Sequence, residues 1–281
     1  MADRMRPAEV VRRGAEYLER HGVDAPGVSA EELMMRVLDS DRAGVYARSE
    51  GLSAAEARAY GRSLCRRCTG TPLQHLTGEQ GFRRLVLTVR PGVFIPRPET
   101  EILVDVGLEA LEGIEAPAVV DLCTGSGAVA LAIADEHPGA RVWATDRSED
   151  AIALAKENAV RLGLPIDPVL GDLLEPLPVE LRGALDLIVA NPPYLVEADE
   201  AGLPAEVRAD PPDALFGGPG LTRRLFEGAR SWLRSGGIVA IEIGEDQRDA
   251  TVALASASGL VNAHVRTDLA GRDRVVAARV P

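Results

Sequence analysis

An apolar run from Leu185 to Ala190 stops abruptly at Asn191-Pro192-Pro193-Tyr194. Two consecutive prolines cannot continue a buried strand, because they lack the N–H that a sheet ladder needs. The strand predicted over 185–190 therefore ends by presenting one side-chain amide, one aromatic ring and the carbonyls of a stiff backbone. That is how a site is built, and the rest of the chain decides what kind of site it is.

A second chemistry-bearing stretch lies upstream. Asp121-Leu122-Cys123-Thr124-Gly125-Ser126-Gly127 stands between a predicted strand and a predicted helix. Glycines let a ligand approach the backbone, and a helix start offers free N–H donors. A second predicted strand ends in Asp146, where a carboxylate can accept both hydroxyls of a ribose. A third ends in Gly171-Asp172, beside which an adenine would lie. A nicotinamide dinucleotide could use the first two features, but its fingerprint places a third glycine where Ala130 stands. An aspartate before the glycines, here Asp121, fits S-adenosylmethionine better, since it can help hold the amino-acid end.

The elements that position these residues follow an alternating pattern. The stretches 118–123, 140–146, 167–172, 184–190 and 236–244 read as buried strands. Helices separate several of them, with Ser148 as a cap and Gly163 as a stop for one. This is an α/β, doubly wound sheet covered on both faces. The last two stretches, 260–269 and 273–280, have no helix between them and read as an antiparallel hairpin at one edge. Residues 1–78 read as a small all-helical domain, with Ser29–Glu32 and Ser53–Glu56 as capping boxes. Residues 79–97 read as a β-hairpin connector in which Leu85–Val89 turns at Pro91-Gly92 and pairs with Val93–Ile95. The second domain then spans 98–281. The turn-rich segment from Val196 to Gly220 follows Tyr194 directly and is expected to face substrate.

Composition narrows the function classes. The formal charge of −12 resides entirely after residue 80, since residues 1–80 hold 12 arginines and 12 acidic side chains. Gripping a nucleic-acid backbone calls for a basic surplus, so direct nucleic-acid binding is not expected. No apolar run approaches the roughly 20 residues of a membrane span, and MADRMRPAEV has no signal-peptide core. A cytoplasmic location is therefore expected. Cys65 and Cys68 lack the second ligand pair of a zinc site and read as ordinary helical cysteines. His75, His137 and His264 each stand alone and receive no catalytic role.

The two motifs together resemble amino-methyltransferases acting on planar, poorly nucleophilic nitrogens. An amide or exocyclic amine delocalises its lone pair into the adjacent π-system, and it attacks a methyl group only when part of that conjugation is given up. On this resemblance the Asn191 side-chain carbonyl and the Pro192 backbone carbonyl each accept one N–H hydrogen, and both bind more strongly as positive charge builds on the nitrogen. Tyr194 can stack on the substrate plane. Further stretches narrow the resemblance: TPLQHLTGEQGF from Thr71, VFIPRPETE from Val93, LRSGGIVAIEIGEDQ from Leu233 and DLAGRDRVV from Asp268. From about residue 70 onward the chain resembles the release-factor glutamine N5-methyltransferases of the PrmC/HemK type. The resemblance implies a seven-stranded class I methyltransferase (Rossmann-like) domain behind a helical N-terminal domain, with S-adenosylmethionine as cofactor. It implies methyl transfer to the glutamine of the Gly-Gly-Gln loop of bacterial class I release factors; a monomer is expected. Ribosomal-protein glutamine methyltransferases and nucleic-acid adenine N6-methyltransferases share the Asn-Pro-Pro-Tyr end, although the stretch Ile95–Glu101 looks more like the release-factor branch. Carried over by position, Asp121, Cys123, Thr124, Gly125, Ser126, Gly127, Asp146, Asp172, Leu173 and Asn191 border the cofactor. Asn191, Pro192, Pro193 and Tyr194 take the glutamine. Two positions depart from the family pattern: Cys123 stands where glycine is common, and Leu173 where an aromatic is common, although Leu173 can still cover the adenine face with less stacking.

Overall fold

Val119 and Val120 adjoin in sequence, point to opposite faces of one strand, and are both fully buried. Only a sheet covered on both sides buries consecutive residues in this way. The computed structural model describes residues 5–281. It divides into two units, the first running up to Glu79 and including Pro204–Ala209, the second comprising Gln80–Leu203 and Asp210–Pro281.

The first unit is helical, with α1 (Pro7–Arg20), α2 (Pro26–Leu38), α3 (Arg42–Ala47), α4 (Ala54–Cys68) and α5 (Leu73–Thr77). Leu18, Leu33, Met34, Val45, Tyr60 and Leu64 form its core. Ser53 and Glu56 make the expected capping box at the start of α4. Ser29 does not cap. Helix α2 begins earlier, at Pro26, because proline at the first helical position has its φ preset and no N–H to leave unpaired. Ser29 is then interior and accepts from the buried Arg67 at 3.4 Å, while Arg67 pairs with Glu206 at 2.5 Å.

The second unit opens with a hairpin whose pairing differs from the expectation. Strand β1 (Glu79–Phe82) pairs with β2 (Leu85–Thr88), and Val93–Ile95 forms no strand. The turn is made by Arg83 in the left-handed region, with φ of 50°. No glycine or asparagine announces it. Its side chain bonds Asp105 and Glu136, and its N–H donates to Glu101 at 2.8 Å, so tertiary ion pairs hold a conformation that arginine disfavours. Ile95 turns its N–H to buried Asp210 instead of to a ladder.

The sheet contains β3 (Ala118–Leu122), β4 (Arg141–Asp146), β5 (Ile166–Leu170), β6 (Leu185–Ala190), β7 (Leu233–Glu242), β8 (Val261–Thr267) and β9 (Asp273–Arg279). Their order is β5-β4-β3-β6-β7-β9-β8. The first five are parallel, and β9 runs antiparallel to both β7 and β8. This is the doubly wound seven-stranded sheet expected, with its edge hairpin. Helices α6 (Glu101–Ala110), α7 (Ala128–Glu136) and α8 (Glu149–Leu162) precede or link the early strands. Then come α9 (Pro212–Leu215), α10 (Gly218–Trp232) and α11 (Arg248–Ala257). Two apolar layers sandwich the sheet, one containing Leu103, Leu131 and Ile133, the other Leu225, Phe226 and Leu174. The segment after Tyr194 folds into 3-10 turns at Glu197–Gly202 and Val207–Ala209, and Leu195 bridges Phe216.

Candidate active site

The register gathers the motif residues. Leu122 of β3 pairs with Ala190 of β6 on one side and with Thr145 of β4 on the other. Cys123, Asn191 and Asp146 are therefore the next residues along three adjacent strands. Asp146 pairs in turn with Leu170, which puts Gly171-Asp172 just beyond. Strand order reverses between β3 and β6, and the crevice at such a switch point is where open parallel sheets bind ligands.

The glycine loop is held from below. Thr124 donates its hydroxyl to Asp121 at 2.6 Å, and the Ala130 N–H donates to the same oxygen at 3.2 Å. Asp121 is 1% exposed. Burial pushes its carboxyl up to about 7, against the pull of those two bonds. Its charge-bearing oxygen thus braces the loop and the first turn of α7. Cys123 takes the left-handed conformation, φ 59°, which explains why a glycine would suit that position. Burial raises its thiol well above the usual range, which disfavours the thiolate.

Asp146 carries two jobs. Its Oδ2 accepts the Gly125 N–H and its Oδ1 the Ser148 N–H, each at 2.9 Å. Burial raises its carboxyl, while these backbone donors oppose the rise. A Cβ at Gly125 would meet no atom within 4 Å, so the space above the loop is open. At Gly127 a Cβ would lie 3.2 Å from Ala155 Cβ and Leu131 Cδ1. Gly127 serves packing and Gly125 leaves room. An open floor beside a strand-end carboxylate, with the buried Ser126 Oγ lacking any partner among the described residues, fits the ribose and amino-acid ends of S-adenosylmethionine.

The motifs alone did not reveal Asn158. Fully buried on α8, it exchanges two bonds with the Thr88 backbone, at 2.8 and 3.1 Å, and donates to the Ser126 carbonyl at 3.0 Å. It ties the hairpin to the cofactor loop. Its signal was available: an amide on the apolar face that Ala151, Leu154 and Ala155 define. Asp172 is held by Arg224 of α10 at 2.6 Å. Leu173 is 8% exposed with φ 50°, and its carbonyl accepts from Thr145 at 2.8 Å.

At the other half of the crevice, Asn191 donates its side-chain N–H to Thr100 Oγ1 at 3.2 Å. Thr100 is buried and stands beside the Glu242 carboxyl, which its hydroxyl pulls down against the rise caused by burial. Glu242 ends β7 beside Asn191, since Ala190 pairs with Ile241. Pro192 is buried, and a Cβ on Gly217 would come within 2.4 Å of the Pro193 carbonyl, so that glycine permits the close approach. The Tyr194 carbonyl accepts from Gln247 at 2.9 Å. Burial, aided by Glu242, raises the Tyr194 phenol, which stays neutral and apolar enough to stack. Asp210 holds Arg97 and the Ile95 N–H, bracing the segment that leads into Thr100. Thr100 and Glu242 were not assigned roles from sequence, although a glutamate inside the apolar run IVAIEIG is itself a signal.

Residues 9–78 match the family described as PrmC N-terminal domain, and residues 85–207 match the methyltransferase small domain. The chain is 46% identical over 274 residues to the release factor glutamine methyltransferase of Moorella thermoacetica, covering 95% of this chain and 94% of that one. With the release factor glutamine methyltransferase of Deinococcus radiodurans the identity is 41% over 281 residues, covering 98% and 99%. Among solved structures, the T. thermophilus 16S rRNA N2 G1207 methyltransferase in complex with AdoMet and guanosine superimposes with a TM-score of 0.55. It covers 72% of this chain and 50% of that chain at 21% identity, a likeness of fold. No helix among the described residues is long and apolar enough to cross a membrane.

Proposed function

Since this chain belongs to the release factor glutamine methyltransferases, we propose that Asn191, Pro192, Pro193 and Tyr194 receive the glutamine side chain of a release factor for N5-methylation. S-adenosylmethionine supplies a methyl group made electrophilic by its sulfonium. Thr124–Gly127 and Ser126 Oγ line the amino-acid end of that cofactor, with Asp121 and Cys123 shaping the loop beneath. Asp146 accepts the ribose hydroxyls, and Asp172 and Leu173 flank the adenine.

The observation that carries this reading is the orientation of Asn191. Its amide nitrogen is engaged by Thr100, so its carbonyl is the end left for a substrate N–H. The Pro192 carbonyl, which belongs to a residue with no N–H of its own, takes the second hydrogen. Two acceptors holding both N–H bonds fix the nitrogen with its lone pair aimed at the methyl group, and they bind it more strongly as conjugation is given up and positive charge builds. The nitrogen gains one methyl group and releases one proton, which becomes acidic as the bond forms, so no strong base is needed at the site. Tyr194 packs against the amide plane and keeps water away. The helical first unit grips the release factor, of the bacterial class I type, in the cytoplasm, and the enzyme acts as a monomer.

Radiolabelled methyl transfer tests this reading, with purified release factor, its Gln→Ala loop variant and duplex DNA offered side by side. Label on the wild-type factor alone is expected. Label on the loop variant would displace the acceptor atom, and label on DNA would overturn the substrate.

A further inference from the structure

Glu242 is 4% exposed, sits in an apolar strand and makes no ion pair among the described residues. Its Oε2 has no hydrogen-bond partner among them. Besides Thr100, three titratable groups act on it electrostatically: Glu99 from the Pro98–Thr100 turn, Arg274 from β9 and Tyr194 beyond β6. Arg274 is already paired with Asp268 at 2.9 Å. Burying a carboxylate with so little compensation costs several kcal/mol, and β7 could carry valine there at no such cost. The charge therefore has a use, and the hydrogen bonds indicate which.

A carboxylate only accepts, so the Thr100 hydroxyl beside Glu242 can meet it only as a donor. With its one hydrogen committed, Thr100 Oγ1 can meet Asn191 only as an acceptor. Asn191 must then present its nitrogen, which agrees with the 3.2 Å contact from Asn191 Nδ2. A side-chain amide is nearly symmetric in shape, and only its partners decide which end faces where. We propose that Glu242 and Thr100 are positioning residues: their hydrogen-bond relay fixes the Asn191 amide with its carbonyl towards the substrate nitrogen. The proposal rests on the acceptor role assigned to Asn191.

The relay has a direction, and protonating Glu242 reverses it. A carboxylic acid donates to Thr100, whose hydroxyl hydrogen then seeks the Asn191 oxygen and draws the amide round. An N–H would face the N–H of the substrate, and turnover would stop. Burial, opposed by the Thr100 bond and by Arg274, pushes the Glu242 carboxyl up to about 7. Turnover is present above that pH and lost below it.

The experiment measures kcat for methyl transfer to release factor in Asn191→Ala, Thr100→Val, Thr100→Ser and Glu242→Gln, with calorimetric S-adenosylmethionine affinity for each. Thr100→Val should lower kcat by about 10- to 100-fold, the usual range for a group that orients an active-site ligand, and leave cofactor affinity within about twofold. Thr100→Ser, which keeps the hydroxyl, should stay near wild type. Wild-type kcat should fall as pH drops through about 7, and Glu242→Gln should lack that limb. A Thr100→Val enzyme with wild-type kcat, or an acid limb retained in Glu242→Gln, overturns the relay. Should Thr100→Val not fold, the serine variant and the pH limb decide. If Asn191→Ala itself keeps turnover, the acceptor role fails. If only Asn191→Ala is impaired, the relay fails and the acceptor role stands.

Discussion

Asp146 Oδ2 accepts the Gly125 N–H at 2.9 Å, so the carboxylate proposed to meet the ribose also sets the turn that meets the amino-acid end. One side chain couples both halves of the cofactor site. Asp146→Ala should weaken S-adenosylmethionine binding by about 10- to 100-fold, since hydrogen bonds to a charged group contribute about 1.5–3 kcal/mol. Asp146→Asn retains an acceptor for the turn and should fall between. Titration calorimetry measures both, and unchanged affinity in the alanine variant would remove Asp146 from the site.

Asn158 joins Thr88 and Ser126 through three bonds of 2.8–3.1 Å in a fully buried position. Asn158→Ala leaves those backbone groups unpaired and should cost about 2–4 kcal/mol of stability in urea unfolding, about 1 kcal/mol for each lost bond plus desolvation. Cofactor affinity should fall with it, because the loop loses its brace. A surface polar residue replaced in the same way costs under about 0.5 kcal/mol, and a loss that small would refute the bracing role.

The two loop glycines should fail differently. Gly127→Ala meets Ala155 and Leu131 at 3.2 Å with φ at 84°, and it should cost about 1–3 kcal/mol of stability. Gly125→Ala, with φ at 57° and nothing within 4 Å, should cost about 1 kcal/mol but intrude on the cofactor's space. Thermal unfolding and calorimetry run together separate the two. Equal losses of cofactor affinity in both variants would contradict the assignment.

Stability should also report the buried carboxyl of Asp121. Its ordinary value is 3.8 and burial pushes it up to about 7. Between those values the folded chain holds a proton that the unfolded chain has released. Stability therefore falls as pH rises from about 4 to about 7 and levels off above. Glu242 acts with the same sign, so Asp121→Asn should reduce the slope without abolishing it. Unfolding free energies measured across that range, with an identical slope in variant and wild type, would show that Asp121 does not titrate there.

Much of this molecule was legible in sequence because its signals are local. The strand ends at Asn191 and Asp146, the Ser53 and Ser148 caps and the Gly163 stop are all carried by residues within a few positions of one another. Helices α6 and α11 were not foreseen: each is only ten residues long, and EILVDVGLEA mixes β-branched residues with a glycine. The Arg83 turn was misread because the strongest turn signal, Pro91-Gly92, lies further along. The Ser29 cap was misread because a proline start upstream was the better one.

The residue types at the strand ends, and their order along the chain, came from sequence by itself: a glycine turn, two carboxylates and an amide followed by two prolines and an aromatic ring. What only the tertiary structure decided is which groups hold them. Thr100 meets Asn191 across 91 positions, Asn158 meets Thr88 across 70, and Arg67 meets Glu206 across 139. Such bonds leave no periodic trace, because their partners are brought together by strand order and layer packing, and a hydrogen bond is specified only once both ends are in place.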